Sequence, residues 1–380
     1  MVNPVVPSSR IDWPQATCQL FTGSLDELVR ADQLSVALAE TPTSQVILRD
    51  AAVPFGALEP VRGWLRQRAP VEEFEFPGGE SAKTFDSCLS ILELLATAGL
   101  DRGGLVIVAG GGALGDAAGF AASIWHRGVP WVAIPTTLLA MVDASIGGKT
   151  AIHQGGVKNR IGSFHLPRVV LTDPSFLDSL PLQERTQGWA ELIKAAWVGD
   201  PELLAQLESD PGSIPRDKIP TSHQIAAAVA VKVAIVGSDP FEHGPREVLN
   251  FGHTFAHALE MTSTTPIRHG EAVSRGMVFA ATLAEEVSIA ASGTASRISD
   301  LLERAGLPVD WSEAAIEPVL SSLLGDKKVR AGRQRWVLPR KPGEMVVETI
   351  PQHIVERVLG SSGPVATEIP LSPEGSHDAR

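Results

Sequence analysis

Three histidines and a glutamate carry the first chemical signal in this chain. Two of the histidines lie in Asn250-Phe251-Gly252-His253-Thr254-Phe255-Ala256-His257, and the third in Arg268-His269-Gly270-Glu271. His253 and His257 are one helical turn apart, which puts both rings on one face. His269 opens a second helical pattern, Glu271 to Glu286. The spacing suits a divalent cation. On its own it also suits half-buried helix histidines beside one at a helix start. Upstream, Glu191 and Lys194 share a face of Trp189-Ala190-Glu191-Leu192-Ile193-Lys194. Their neighbours Ala190, Leu192, Ile193, Ala195, Ala196 and Trp197 are apolar on all sides, so this helix is expected to be buried. A buried carboxylate needs a cation, which makes Glu191 a candidate ligand beside two or three of the histidines. Lys232 and Arg246 stand in similarly apolar surroundings and are expected to face inward. The sum is a metal site beside a polyanion site.

A second constellation lies nearer the N-terminus. Leu105-Val106-Ile107-Val108-Ala109 is a continuous apolar run of strand length, the pattern of a buried parallel strand. It enters Gly110-Gly111-Gly112-Ala113-Leu114-Gly115-Asp116 and then a helix through Ile124. Strand, glycine turn and helix N-terminus together make an anion cradle suited to a dinucleotide. No Gly-Lys-Ser/Thr follows, so it is not a Walker loop. Trp131-Val132-Ala133-Ile134 reads as the next strand, ending in Pro135-Thr136-Thr137 at the edge where ligands bind. Pro77-Gly78-Gly79-Glu80-Ser81-Ala82-Lys83-Thr84 reads as a turn leading into a helix. Lys149 and Lys158 sit in two glycine-rich segments read as loops, and their closeness to the glycine turn suits phosphate or carboxylate binding.

The elements that must position these groups follow from composition and pattern. The chain has 380 residues, 44% of them apolar and 20% charged, enough for two domains with a sizeable core. A net charge of −12 argues against nucleic acid or anionic membrane as partner, so an anionic substrate must meet a locally basic pocket. Two cysteines, Cys18 and Cys88, form no disulfide framework, which fits a reducing cytoplasm. The start of the chain has no signal-peptide pattern, and no membrane span is expected. Tyrosine is absent, which removes any mechanism needing a phenol. The pattern predicts an α/β half followed by a mostly helical half, with the change near residues 173–181. Residues 1–14 are expected to be loose and the Pro/Ser/Glu-rich residues 361–380 disordered. Between them lie domains over 15–175 and 176–360. Val248 to Met261 reads as one helix, and short apolar runs near Arg335–Leu338 and Met345–Val347 as a late hairpin.

Taken in order, these stretches resemble the 3-dehydroquinate synthases, a family of sugar-phosphate cyclases. The resemblance rests on Gly110 to Asp116, Pro135-Thr136-Thr137-Leu138-Leu139, Val142-Asp143 with Gly147-Gly148-Lys149-Thr150, and Lys158-Asn159-Arg160-Ile161-Gly162. It continues through Ala190 to Lys194, Leu249 to His257, His269-Gly270-Glu271-Ala272-Val273 and Asp326-Lys327-Lys328, so it covers roughly residues 40 to 340. It implies a Rossmann-like N-terminal domain that binds NAD and a mostly α-helical C-terminal domain that holds zinc or cobalt. By resemblance the metal ligands are Glu191, His253 and His269, while His257 faces the substrate. The NAD contacts are Asp50, the turn Gly78, Gly79, Glu80, Ser81, Ala82 and Lys83, the turn Gly112, Ala113, Leu114, Gly115 and Asp116, Thr136, Thr137, Asp143, and the segment Phe176, Leu177, Asp178 and Ser179. Lys149 and Lys158 border cofactor and substrate. Asn159, Lys194, Lys232, Arg246, Asn250 and Lys327 join Lys149 and His257 around the substrate. Arg127 reaches the substrate phosphate of a neighbouring subunit, which implies a homodimer.

The activity implied is conversion of 3-deoxy-D-arabino-heptulosonate 7-phosphate to 3-dehydroquinate and phosphate, a step toward aromatic amino acids. It runs by transient oxidation, phosphate β-elimination, re-reduction and aldol closure, so NAD is regenerated in each cycle. The chain departs from the family at Ile152-His153-Gln154-Gly155-Gly156-Val157, at Trp189 for leucine, at Ala256 for glycine and at Pro240-Phe241 in an acidic run. These departures leave room for a related substrate, as in the amino-dehydroquinate branch. Gly148 fits the dehydroquinate synthases, whereas valiolone and inosose synthases tend to carry isoleucine. A metal-dependent polyol dehydrogenase shares the architecture, but a neutral alcohol would not need five basic groups.

Overall fold

The computed structural model of the chain describes residues 6–14, 16–30, 33–38, 41–155, 157–312, 316–325 and 334–361. Seven strands form the main sheet: β1 (Val6–Trp13), β2 (Ala16–Thr22), β3 (Gln45–Asp50), β4 (Val71–Phe76), β5 (Leu105–Gly110), β6 (Trp131–Pro135) and β9 (Val169–Thr172). Their order is β1-β2-β9-β6-β5-β3-β4, all parallel except the β1–β2 pair. Every residue of β5 and β6 is buried, as expected for apolar runs covered on both faces. From β3 the chain moves outward to β4, then crosses back to lay β5 on the other flank of β3. The carboxyl ends of β3 and β5 therefore flank the topological switch point, where open α/β sheets bind ligands.

The N-terminus corrects one expectation. Residues 6–13 are not loose but form the edge strand β1, with Ile11 opposite Cys18 and fully buried. Alternation of Arg10, Ile11 and Asp12 carries the strand signal, and the flanking prolines and serines obscure it. A second correction concerns the two lysine-bearing segments read as loops. They are the strands of an antiparallel hairpin, β7 (Lys149–Gln154) and β8 (Val157–Phe164). Most of β8 is exposed and polar, so no apolar alternation announces it. Pairing with β7 imposes the extended backbone, helped by the Thr150 hydroxyl, which donates to the Ser163 carbonyl.

Beyond β9 the chain turns helical as expected, with helices at Leu182–Gly199, Pro201–Ser209, Ser222–Ser238, His253–Thr262, His269–Glu286 and Thr294–Arg304. The hairpin β10 (Arg335–Lys341) and β11 (Glu344–Thr349) packs Trp336, Val337 and Leu338 onto them. Phe255 and Phe279 stack at 4.0 Å between ring centroids, and Trp311 meets both edge-on. Trp189, which replaces the usual leucine, is fully buried, and its indole N–H donates to the Lys218 carbonyl at 3.1 Å. Residues 248–261 do not form one helix. Gly252 adopts φ +80° and separates a 3₁₀ turn, Pro245–Asn250, from the helix that begins at His253.

Candidate active site

Three helices converge because small residues line their crossings. A Cβ on Gly276 would lie 2.0 Å from the Gly252 carbonyl oxygen, and one on Gly270 would lie 2.4 Å from the Gln187 carbonyl oxygen. The backbones thus approach closely, and the Gln187 side chain accepts the free Glu271 N–H at the start of the third helix. At this convergence Glu191, His253 and His269 offer ligand atoms that all lie within 4.8 Å of one another. The Nε2 atoms of His253 and His269 stand 3.6 and 3.5 Å from the same carboxylate oxygen of Glu191. Both Glu191 oxygens are buried without a hydrogen bond, although Lys194 pairs with one of them by charge. Two imidazole nitrogens and a carboxylate, close together but not hydrogen-bonded, match the donor set of a tetrahedral catalytic metal with one open position. The residues fit such an ion.

The electrostatics follow from burial and charge. Burial pushes the Glu191 carboxyl up, but Lys194 and His269 outweigh it and lower its pKa to about 2. Burial lowers His253, with Lys194 adding to the effect. Burial also acts to lower His269, yet Glu191 and Glu260 raise it to about 9. A bound cation would displace that proton. His257 lies one turn beyond His253 with ring centroids 5.6 Å apart.

Basic groups surround this corner. Lys194 and Arg246 are buried, and Lys232 nearly so. Lys232 Nζ donates to the Asp143 carbonyl at 2.7 Å and pairs with its carboxylate, joining an expected substrate residue to an expected cofactor residue. Asp143 sits in a π-helical turn, Ala140–Ala144, of the kind that often marks functional sites. Burial raises the Asp143 carboxyl, but Lys232 more than offsets this and lowers it; burial lowers Lys232. Arg246 donates to the Gly147 carbonyl at 3.2 Å and is set by Asp239, which accepts the N–H groups of His243, Gly244 and Arg246. The same loop holds Glu242 at φ +58°. Glu242 pairs with Lys149 and accepts from the Asn250 amide at 2.8 Å. Phe241, at the Pro240-Phe241 departure, packs against Trp13 and Phe164 at 5.5 and 5.3 Å, so β1 and the β7–β8 hairpin hold this loop.

The crevice at the switch point is built from backbone. Asp50 ends β3, and a Cβ on Gly78 would lie 2.0 Å from its carboxylate. A Cβ on Gly110 would meet Leu114 at 2.9 Å, and one on Gly112 would meet Ala144 at 2.9 Å, while nothing lies within 4 Å over Gly115. Helix Gly112–Ile124 thus opens without a side-chain cap beside an unfilled position, and a helix N-terminus of this kind fits a pyrophosphate. Thr136 and Thr137 follow β6 beside it, and Gly111 abuts Thr137. Lys83, buried, pairs with Asp116 across the crevice. Burial raises the Asp116 carboxyl to about 6 despite the opposing effect of Lys83. Glu80, Ser81 and Ala82 form a 3₁₀ turn preceded by Gly79 at φ +86°. In the segment Phe176–Ser179, Phe176 and Leu177 turn into the core, leaving Asp178 and Ser179 exposed.

The structure does not bring every expected residue here. Arg127 is exposed at the far end of helix Gly112–Ile124, with His126 and Arg127 both at positive φ, 48° and 70°. Lys327 lies outside the described residues. Three polar residues that sequence reasoning passed over join the network instead. Glu242 is one. Glu260 accepts from His269 Nδ1 at 3.2 Å and lies 3.2 Å from Lys158 Nζ. Burial raises the Glu260 carboxyl, but His269 and Lys158 lower it to about 2. His153 is the third: its Nδ1 accepts the Asn159 N–H at 3.1 Å, so Nε2 carries the proton donated to Glu80 at 2.9 Å. Glu260 had a signal, since it stands two helical turns from His253 on the same face. His153 and Glu242 had none, because their partners come from distant elements.

Sheet, crevice and helical corner together give a fold shared with the sugar-phosphate cyclases. The chain aligns over 94% of its length with 98% of a 2-epi-5-epi-valiolone synthase from Streptomyces hygroscopicus with NAD+ and Zn2+ bound, at 28% identity and a TM-score of 0.79. A 2-deoxy-scyllo-inosose synthase complexed with carbaglucose-6-phosphate, NAD+ and Co2+ shares the fold at 22% identity and a TM-score of 0.81, over 93% of this chain and 99% of that one. Within this class the sequence is more specific. The 3-dehydroquinate synthase N-terminal model matches residues 73–187 and the C-terminal model residues 188–329, so the chain belongs to the 3-dehydroquinate synthase family. A 3-dehydroquinate synthase of Mycolicibacterium vanbaalenii is 39% identical over 353 residues, 91% of this chain and 95% of the relative.

Proposed function

We propose that this chain is a 3-dehydroquinate synthase, converting 3-deoxy-D-arabino-heptulosonate 7-phosphate to 3-dehydroquinate and phosphate with NAD and a divalent metal. The observation that carries the reading is the set of inward-facing cations, Lys194, Lys232 and Arg246, around a carboxylate–histidine corner. A neutral alcohol gives no reason to bury so many positive groups, whereas a substrate with both phosphate and carboxylate does. Family membership agrees. Glu191, His253 and His269 would hold zinc or cobalt, and the Asp50, Gly112–Asp116 and Thr136–Thr137 crevice would hold NAD. When bound, the metal supplies a Lewis acid at the alcohol to be oxidised, and NAD a reversible hydride acceptor. The chain's own residues bind and orient: Lys149, Lys194, Lys232, Arg246, Asn250 and His257 fix the anionic substrate so that bound geometry replaces solvent reorganisation. Gly148 supports this branch of the family. It has φ +63°, and a Cβ would lie 3.0 Å from the Leu166 backbone, so no branched side chain fits.

A homodimer belongs to the same proposal. Arg127 is exposed on a left-handed turn remote from the corner, which suits contact with another subunit's substrate. Two free, buried cysteines support a reducing cytoplasm as the site of action. Among the described residues no helix is long and apolar enough to cross a membrane. The test is to incubate pure protein with the heptulosonate phosphate, zinc and catalytic NAD. Phosphate release without net NADH is expected. NADH accumulating one-for-one with substrate consumed would overturn the reading in favour of a dehydrogenase.

A further inference from the structure

We infer that Glu260 is a positioning residue: it fixes the ring of His269 for the metal and, through Lys158, ties the β7–β8 hairpin to the metal corner. The inference rests on the metal reading above. Glu260 lies on helix His253–Thr262, the helix that supplies one candidate ligand, and orients the candidate ligand of the neighbouring helix. Its side chain is only 5% exposed, so an ionised carboxylate here needs partners. It has two. One oxygen accepts from His269 Nδ1 at 3.2 Å, and the other faces Lys158 Nζ at 3.2 Å. A carboxylate partner requires the proton on Nδ1. With a metal bound in place of the second proton, Nε2 would be the donor atom, on the side of the ring that faces Glu191, 3.5 Å away. His253 is arranged in parallel, with Nδ1 3.2 Å from the Phe251 carbonyl and Nε2 toward Glu191. With metal at both Nε2 atoms the two rings would share a tautomer, one fixed by a neutral carbonyl and the other by an anion. An anionic partner makes an imidazole a stronger donor and restricts its rotation.

Lys158 extends the connection. It lies on β8 beside Asn159, whose N–H is held by His153, which in turn donates to Glu80 on the turn beside the crevice. Glu260 is therefore the anchor by which the helical corner grips the turn end of the hairpin, the same end that touches the cofactor side through His153.

The experiment measures zinc affinity of the full chain by competition with a chromophoric chelator, together with hydrogen exchange of residues 157–164. Glu260→Ala should weaken zinc binding 10- to 100-fold, the range found for outer partners of metal-bound histidines. Glu260→Gln should fall between, since its amide oxygen still accepts from Nδ1 but carries no charge. Its near-identical shape guards against simple misfolding, checked by circular dichroism. Lys158→Met should leave zinc affinity within about threefold, on the premise that it touches no ligand atom. Both Glu260→Gln and Lys158→Met should speed exchange in β8. Folded Glu260→Ala that binds zinc within twofold of wild type would overturn the positioning role, and unchanged β8 exchange in both other variants would overturn the tether. Failure of the wild type to bind one zinc, or retention of zinc by Glu191→Ala, would instead overturn the metal reading itself.

Discussion

The metal corner and the cofactor crevice lie side by side but are built from opposite materials. At the corner, side chains do the holding. Glu191, Lys194, His253 and His269 project from three helices into a buried space where each charge depends on another. At the crevice, backbone does it. Glycines at 78, 110 and 112 let strand ends and a helix N-terminus approach, and the space over Gly115, in the first turn of that helix, is open. The comparison teaches that the corner is fragile to changes of charge and the crevice to changes of volume. Each can be broken by a substitution that should leave the other intact.

The largest effect is expected at the corner. Glu191→Ala removes a candidate ligand and leaves Lys194, 3% exposed, as an unpaired buried cation. Removing one partner of a buried pair costs about 3–5 kcal/mol, so the variant should lose zinc and melt well below wild type. Glu191→Ala combined with Lys194→Met should recover much of the stability without recovering zinc, because charge balance returns but the ligand does not. Metal analysis and urea melts read the two quantities separately. Zinc content unchanged in the single variant would show that Glu191 is not a ligand.

At the crevice the matching change is Gly112→Val. A Cβ there would lie 2.9 Å from the Ala144 Cβ, so the helix must shift, at about 1–3 kcal/mol for an overpacked site. NAD affinity, measured calorimetrically, should fall about tenfold or more, while each tenfold corresponds to about 1.4 kcal/mol. Zinc affinity should not change. Equal NAD affinity in variant and wild type would mean that the cradle does not approach the cofactor.

The two regions also differ in how far the sequence discloses them. Residue type reveals the corner, because a glutamate and a lysine amid Ala190, Leu192, Ile193 and Trp197 must be buried and must have partners. Glycine run and strand length reveal the crevice. What remains hidden is the tissue between them. The β8 strand shows little apolar alternation, being exposed for most of its length, so pairing with β7 rather than local pattern makes it a strand. Gly252 breaks an apparently continuous helix, and only its left-handed backbone shows why His253 stands at a helix start. His153, Glu242 and Glu260 pair with residues 73, 93 and 9 positions away, and the first two separations exceed anything periodicity can report.

The smallest expected effect lies in that connecting tissue and tests whether it behaves like corner or crevice. Glu242 faces Lys149 and the Asn250 amide, with side chains 27% and 47% exposed for the ion pair. Burial raises its carboxyl, but Lys149 outweighs this and holds it below the usual 4.5. A lowered folded pKa means that the native state binds the proton less readily than the unfolded chain. The stabilisation is therefore fully present above about 4.5 and is lost as pH falls through the folded value. Glu242→Gln keeps the shape and the Asn250 contact but removes the charge, so it should destabilise at pH 7 by no more than about 1 kcal/mol, the scale of a half-exposed pair. Acidification should close the gap in melting temperature between variant and wild type, and raised salt should narrow it at neutral pH, since exposed pairs are screened. A gap that persists undiminished at pH 3.5 would show that Glu242 acts through shape alone, and that the loop belongs with the crevice. If the gap closes, the corner's dependence on paired charge extends outward through Glu242 to the hairpin, and Lys149 is held in place by electrostatic support.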